Sequence, residues 1–277
     1  MRRIIVTSDI HYGITSSEAV EKLFDEIAAL KPDAVAVAGD IGEPLNNFVK
    51  ALDIIGRMNI PTAIVPGNHD VWNRSKTIPS RELWERRLPE ETKARGIVYL
   101  EDETLLVDDV AIVGTIAWYD YYAGDPKEEH TAEEYWKRRR EFIGDALFTD
   151  WPWDDIEFCK MIEGPFKKRL KRVQDDRDVK KIIVVTHSPI FDEQILRKPD
   201  DPKWSFSNAY FGNLTFGGIV RDFDKVRYVV SGHTHAGMEG IVRVNEREIN
   251  VMTLNSQYGE PVFVTVELSV PEYRDTS

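Results

Sequence analysis

TAIVPGNHD, residues 62–70, changes character at its midpoint. Residues 62–65 are short, β-branched and apolar, and they read as a strand. Pro66 and Gly67 then make a turn, because Pro presets φ and Gly tolerates positive φ. A turn has no need of Asn68, His69 and Asp70, so those side chains want another reason. The upstream segments repeat the pattern. RIIVT (3–7) and DAVAVAGD (33–40) are further apolar strands. Between them SSEAVEKLFDEIAAL (16–30) carries Val20, Leu23, Phe24, Ile27 and Leu30 on one helical face. Thr15 and Glu18 fit a capping box at its start, and Pro32 stops it. Pro44 opens a second helix whose Leu45, Phe48, Ala51, Ile54, Ile55 and Met58 face inward. Alternating strands and helices with near-continuous apolar strands predict a parallel sheet covered on both faces.

Downstream, GIVYL (96–100), TLLV (104–107) and VAIVGTIAW (110–118) read as strands, the last two joined by a tight turn at Asp108 and Asp109. Residues 119–178 contain no strand-like run. They carry charged helices such as TAEEYWKRRREF (131–142) and an aromatic group of Tyr119, Tyr121, Tyr122, Trp136, Trp151 and Trp153. Two compatible readings follow, a helical insertion packed on the main domain or a cap that shapes a substrate pocket. Strands return in KKIIVVTHSP (180–189) and VRYVVSGHTH (226–235). A pair, GIVRV and EINVMTLN, turns around Asn245 and Glu246, and PVFVTVEL (261–268) is the last strand. No internal repeat or linker interrupts the chain, so residues 1–277 are expected to form one domain with the insertion at 119–178.

The 277 residues are 42% hydrophobic and 10% aromatic, enough for a sizeable core, so disorder is not the expectation. A formal charge of -12 disfavours generic binding to nucleic-acid backbones, which depends on many Lys and Arg contacts. An acidic enzyme can still act on a phosphorylated substrate where metal ions supply the positive charge. Cys159 is the only cysteine, which rules out an intrachain disulfide and fits a reducing compartment. With neither a signal-peptide pattern nor an apolar run of membrane length, the expectation is a cytoplasmic chain without membrane attachment.

The strand ends share a chemistry. RIIVTSDIH ends in Asp9 and His11, AVAVAGD in Asp40, and AIVPGNHD in Asn68 and His69. IIVVTHS ends in His187, and YVVSGHTH in His233 and His235. Five of the six histidines therefore fall at strand ends, and only His130 lies elsewhere. A lone histidine at such a place is usually structural. Five at one sheet edge, where open sheets bind ligands, point to a metal site. Asp, His and Asn without Cys suit Mn, Fe, Zn or Co better than Mg or Ca. Seven candidate ligands exceed the four of one tetrahedral Zn and fit two ions that share a carboxylate.

The blocks Asp9-x-His11, Gly39-Asp40, Gly67-Asn68-His69-Asp70, His187 and Gly232-His233-Thr234-His235, in this order, resemble the calcineurin-like metallophosphoesterases. The resemblance implies an α/β fold (α+β in some schemes), a four-layer αββα sandwich of the metallo-dependent phosphatase type. It implies a phosphoric ester hydrolase, a phosphodiesterase or phosphatase, with a dinuclear centre and a bridging hydroxide. Carried over, Asp9, His11 and His235 would hold one ion, Asn68, His187 and His233 the other, and Asp40 would bridge them. His69 would be the catalytic histidine. Asp70 would orient it, and a turn role for Asp70 stands equally open.

The segments GDIGEPL and GNHD differ from the GDxVDRG and GNHE of the Ser/Thr protein phosphatase branch, which makes that branch a poor match. A nuclease component of a larger complex would be expected to show a basic face. A non-catalytic scaffold of the same fold would be expected to have lost ligands, and here all are intact. The expected partner is a small phosphorylated substrate. Tyr12, Trp72, Asn73, Arg74 and the SNAYFGN loop (207–213) are candidate pocket residues, with Arg74 suited to pair with a phosphate, and a plain surface or packing role is the alternative for each.

Overall fold

The computed structural model describes residues 2–128 and 130–269. Among the described residues, eleven strands form two sheets. The first has the order β11-β1-β2-β3-β4, built from β1 (Arg2–Thr7), β2 (Ala34–Ala38), β3 (Thr62–Val65), β4 (Val98–Tyr99) and β11 (Phe263–Leu268). Strands β1 to β4 run parallel, and β11 pairs antiparallel with β1 at the edge. The second has the order β5-β6-β7-β8-β10-β9, built from β5 (Leu105–Val107), β6 (Val110–Thr115), β7 (Lys181–Thr186), β8 (Val226–Ser231), β9 (Met238–Val244) and β10 (Arg247–Thr253). Its four inner strands are parallel, with antiparallel hairpins at both edges.

Side-chain alternation along the strands explains the layers. Ile4 and Val6 of β1, Ala34, Ala36 and Ala38 of β2, and Ala63 and Val65 of β3 pack with Val110, Ile112, Ile183, Val185 and Val230 of the second sheet. The intervening residues, Ile5, Val35, Val37 and Ile64, face outward onto helices α1 (Ser17–Ala29) and α2 (Leu45–Gly56). On the far side, Ala111, Val113, Ile182, Val184 and Val229 lie under the helices Asp155–Asp175 and Leu214–Val220. Both faces of each central strand are thus buried, which is why the strands read as continuous apolar runs. Each fully buried Val or Ile contributes about 1.5–3 kcal/mol. The order of layers is helix, sheet, sheet, helix.

Local details refine the sequence reading. Ser16, not Thr15, caps α1, its side chain accepting from Ala19 N. Thr15 is instead buried, and its hydroxyl accepts from Gly259 N, so it pins the 255–260 loop. The hairpins turn at Asp108 and Asn245, both at positive φ. Between β6 and β7 the described residues form helices, among them Ala132–Arg138, Asp145–Phe148 and Asp155–Asp175, and no strand. No helix among the described residues is long and apolar enough to cross a membrane.

Candidate metal centre

The parallel strands β1, β2, β3, β7 and β8 all point their C-terminal ends to one edge of the sandwich. The loops leaving them are tied together by their backbones. Asp9 N donates to Gly39 O at 3.0 Å, His11 N to Asp40 O at 2.9 Å, and Gly232 N to His187 O at 2.9 Å. The loops turn sharply as they leave the strands. Asp9, His11, Asp40, His233 and His235 all have positive φ, between 46° and 73°. Such conformations cost energy in non-glycine residues and persist where the surroundings over-determine them. Two glycines make the close approach possible. A Cβ on Gly67 would lie 2.1 Å from Asp40 Oδ1, and one on Gly232 2.4 Å from Asp9 Oδ2.

All seven expected ligands converge. His187 Nε2 lies 3.4 Å from Asp40 Oδ1, and His11 Nε2 3.5 Å from Asp40 Oδ2. His235 Nε2 is 3.8 Å from Asp9 Oδ1. Among the described residues, three groups bring their ligand atoms within 4.8 Å of one another: Asp9, His11 and His235; His11, Asp40 and His69; and Asp9, Asp40 and His187. Asp40 belongs to two of them. Its carboxyl is pushed well above the usual range by burial and by the charges of Asp70 and Asp9. Such crowding of carboxylates is relieved by cations.

The histidines show that the donor set fits a metal. Burial holds the rings of His187 and His233 down at about 3, with His187 adding to the effect at His233, so both are neutral. His187 Nδ1 sits 2.9 Å from the Ala38 carbonyl, which only accepts, so Nδ1 carries the proton and Nε2 the lone pair. By the same reasoning His233 Nε2 donates to the Tyr210 carbonyl at 3.0 Å and leaves Nδ1 bare. These two bare nitrogens lie 2.8 Å and 3.1 Å from Asn68 Oδ1. The Asn68 amide is oriented by its Nδ2, which donates to Asp145 Oδ1 at 2.8 Å. Three lone pairs therefore face one another with no proton between them, the arrangement a cation satisfies. His11 Nε2 and His235 Nδ1 are likewise buried without a hydrogen-bond partner.

His69 stands at the rim. Its ring stacks on Trp72 with centroids 3.6 Å apart, and its backbone N donates to Asp40 Oδ1 at 2.9 Å. Asp70 does not reach that ring by any hydrogen bond. Its carboxylate accepts from Ile41 N at 2.9 and 3.2 Å, Gly42 N at 2.9 Å and Gly67 N at 2.8 Å. These are the contacts of the turn role. They tie the loop after β2 to the loop after β3, and burial still pushes the carboxyl up to about 7.

The acid that faces His69 Nδ1 is Glu43, with Oε1 3.7 Å away, while Asp40 Oδ2 lies 3.9 Å from Nε2. Glu43 Oε1 also accepts from Arg74 Nε at 2.8 Å. The Arg74 guanidinium lies 4.4 Å from the centroid of Trp72 and 4.2 Å from that of Phe148. Reasoning from sequence missed Glu43, whose only signal is its place three residues after Asp40. It missed Asp145 too, which had no signal. Of the candidate pocket residues, Arg74 remains half-exposed at the rim. Trp72 and Asn73 are buried, and so are Asn208, Ala209, Tyr210 and Asn213 of the 207–213 loop. That loop serves the centre through the Tyr210 carbonyl. Tyr12 hydrogen-bonds Ser17 at 3.2 Å. Tyr258, unforeseen, packs its ring 4.7 Å from His11 and 4.9 Å from His235.

The family model of the calcineurin-like phosphoesterases matches residues 2–237. No curated protein matches the chain significantly by sequence. Among solved structures, the phosphopantetheinyl hydrolase of Mycobacterium tuberculosis superposes with a TM-score of 0.70 at 20% identity, over 98% of each chain. A Thermus thermophilus protein gives 0.52 at 15% identity, over 90% of this chain and 88% of its own. A dimetal phosphatase from Danio rerio gives 0.51 at 14% identity, over 95% and 91%. These similarities show a shared fold, and the family match covers every block at the strand ends. The chain belongs to the calcineurin-like phosphoesterase family and is a metal-dependent hydrolase of phosphate esters.

Proposed function

We propose that Asp9, His11, Asp40 and His235 hold one divalent cation, and Asp40, Asn68, His187 and His233 a second. The convergence of Asn68 Oδ1, His187 Nε2 and His233 Nδ1 carries this reading. Asp40 suits the shared position because its oxygens face different groups, Oδ1 toward His187 and Oδ2 toward His11. Mn, Fe, Zn and Co fit the mixture of imidazole, carboxylate and amide oxygen. Two such cations supply a water of lowered pKa and neutralise phosphoryl oxygens.

The chain's own groups do the rest. Asp9 takes hydrogen bonds from Ser8 Oγ at 2.5 Å and His233 N at 3.0 Å, which fix its carboxylate. His69, backed by Trp72 and faced by Glu43, is placed to hydrogen-bond the leaving oxygen of a phosphate ester. Arg74 offers a half-exposed guanidinium at the rim for an anionic part of the substrate. A cleft of ≈ 550 Å³ beside this rim is lined by apolar residues such as Leu45, Val49 and Trp72 together with Asn46, Asn73, Ser75 and Thr77, and suits a leaving group that is apolar with a few polar atoms. The substrate is a small phosphorylated molecule, a diester or monoester, and the chain acts as one domain with an insertion at 119–178. The sole cysteine, buried Cys159, fits a cytoplasmic setting.

The test is hydrolysis of bis-p-nitrophenyl phosphate, p-nitrophenyl phosphate and a phosphopantetheinyl conjugate, the last chosen from the activity named for the Mycobacterium protein. Turnover should vanish in EDTA and return with Mn²⁺. Turnover that survives stripping of metal would overturn the reading.

A further inference from the structure

Asp145 is 4% exposed and opens the short helix Asp145–Phe148, in the connection between β6 and β7. No expected ligand is near it in sequence. Its Oδ1 nevertheless accepts two hydrogen bonds from the site, Asn68 Nδ2 at 2.8 Å and Trp72 Nε1 at 2.6 Å. The two ends of an amide are nearly alike in shape, so its hydrogen-bond partners decide which end points where. Asp145 presents an acceptor and so takes the NH2 end of Asn68. The oxygen end is thereby turned onto the bare nitrogens of His187 and His233.

The opposite orientation would be harmful. Turned over, Asn68 Nδ2 would donate to those two nitrogens and close the centre with ordinary hydrogen bonds. It would then also set Asn68 Oδ1 against Asp145 Oδ1, two acceptors at hydrogen-bond distance. The second donor, Trp72 Nε1, belongs to the indole that stacks on His69. The neighbouring residues fasten the same loop. Asn73 N donates to Phe148 O at 2.7 Å, and Asn73 Nδ2 to Asp150 Oδ2 at 2.9 Å. Ser80 N donates to Asp150 Oδ1 at 2.7 Å. At Gly144 a Cβ would come within 2.9 Å of the Trp72 ring, so the segment lies directly against the indole.

We infer that Asp145 is a positioning residue that selects the ligating face of Asn68 and seats Trp72 behind His69. The inference rests on the proposed role of Asn68 as a ligand. It gives the 119–178 connection a part in building the centre, apart from covering it.

The experiment is calorimetric titration of the stripped protein with Mn²⁺, with kcat and KM measured in parallel. Asp145→Ala should weaken binding at the Asn68 site about 10–100-fold. Asp145→Asn keeps an oxygen acceptor, held in place by Trp72 Nε1, and should bind within a few-fold of wild type. Adding Trp72→Phe to Asp145→Asn frees that new amide to turn, so the loss should reappear; this pair, which keeps the shape of Asp145, tests the idea even if Asp145→Ala fails to fold. In an Asn68→Ala background, Asp145→Ala should cost no further affinity, whereas a merely structural role would add its loss. Trp72→Phe alone should keep Mn²⁺ affinity and lower kcat more than it changes KM. Wild-type affinity in both Asp145→Ala and the Asp145→Asn/Trp72→Phe pair would overturn the inference and leave the centre standing. A wild-type protein that binds no Mn²⁺ would overturn the centre itself.

Discussion

Replacing Asp70 with Ala separates its two expected roles. The carboxylate is buried and is the acceptor for three backbone N–H groups, those of Ile41, Gly42 and Gly67. A buried donor left unsatisfied costs about 1–3 kcal/mol. Allowing for relaxation and for some entry of water, the three together come to roughly 3–6 kcal/mol, against a total stability of about 5–15 kcal/mol for a typical domain. The corresponding fall in Tm is on the order of 10 °C. The assay is equilibrium urea unfolding in EDTA, so that metal binding adds nothing to the measured stability. Asp70→Asn keeps one oxygen and should fall between wild type and Ala. Because Gly67 and Asp40 sit on the two loops that Asp70 joins, the Ala variant should also bind Mn²⁺ more weakly. An Asp70→Ala protein of wild-type stability, with a shifted pH profile of kcat, would refute the turn role and restore Asp70 as the residue that orients His69.

Three further outcomes follow from the geometry. His69→Ala should retain its metal on elemental analysis while turnover falls about 10²–10⁴-fold, the usual range for losing a general acid or base. Glu43→Gln should also keep its metal but slow turnover, because it removes the carboxylate beside His69 Nδ1 and loosens Arg74; unchanged kcat would count against it. Glu101, buried with Arg169 Nη2 3.7 Å away, has its carboxyl raised from 4.5 to about 7 by burial, which outweighs the pull of Arg169. Its folded form holds the proton more tightly than its unfolded form, so its contribution is present below about pH 4.5 and is lost as pH rises through 7. Relative to Glu101→Gln, wild type should therefore lose on the order of 3 kcal/mol between pH 4 and pH 8, read from urea midpoints in EDTA. A pH-independent difference would contradict that placement of the proton.

The strands and the convergence of the ligands were legible because both follow from local pattern. Parallel strands buried on two faces demand continuous apolar runs, and polar residues directly after such runs must lie at the strand ends. What escaped depends on pairing across the fold. Asp145 meets Asn68 across 77 positions and Trp72 across 73. A carboxylate in a charged helical stretch looks like any solvated acid until the chain is folded. Glu43 was hidden the same way, since nothing in GDIGEPL shows that its second acid, like Asp40, turns toward an imidazole. Asp70 was ambiguous for a different reason. Its neighbour in sequence is His69, but its hydrogen-bond partners are backbone groups on another loop. The cap of α1 was misread by one residue because Thr15 and Ser16 are both good caps, and only burial decides between them.

Diffraction from crystals grown with Mn²⁺, collected for its anomalous signal, bears on the shared role of Asp40 more directly than any rate. Two peaks about 3.5–4 Å apart, one on each side of the Asp40 carboxylate, are the expected result. A single peak, or peaks that leave Asp40, Asn68 and His187 without a metal contact, would contradict it.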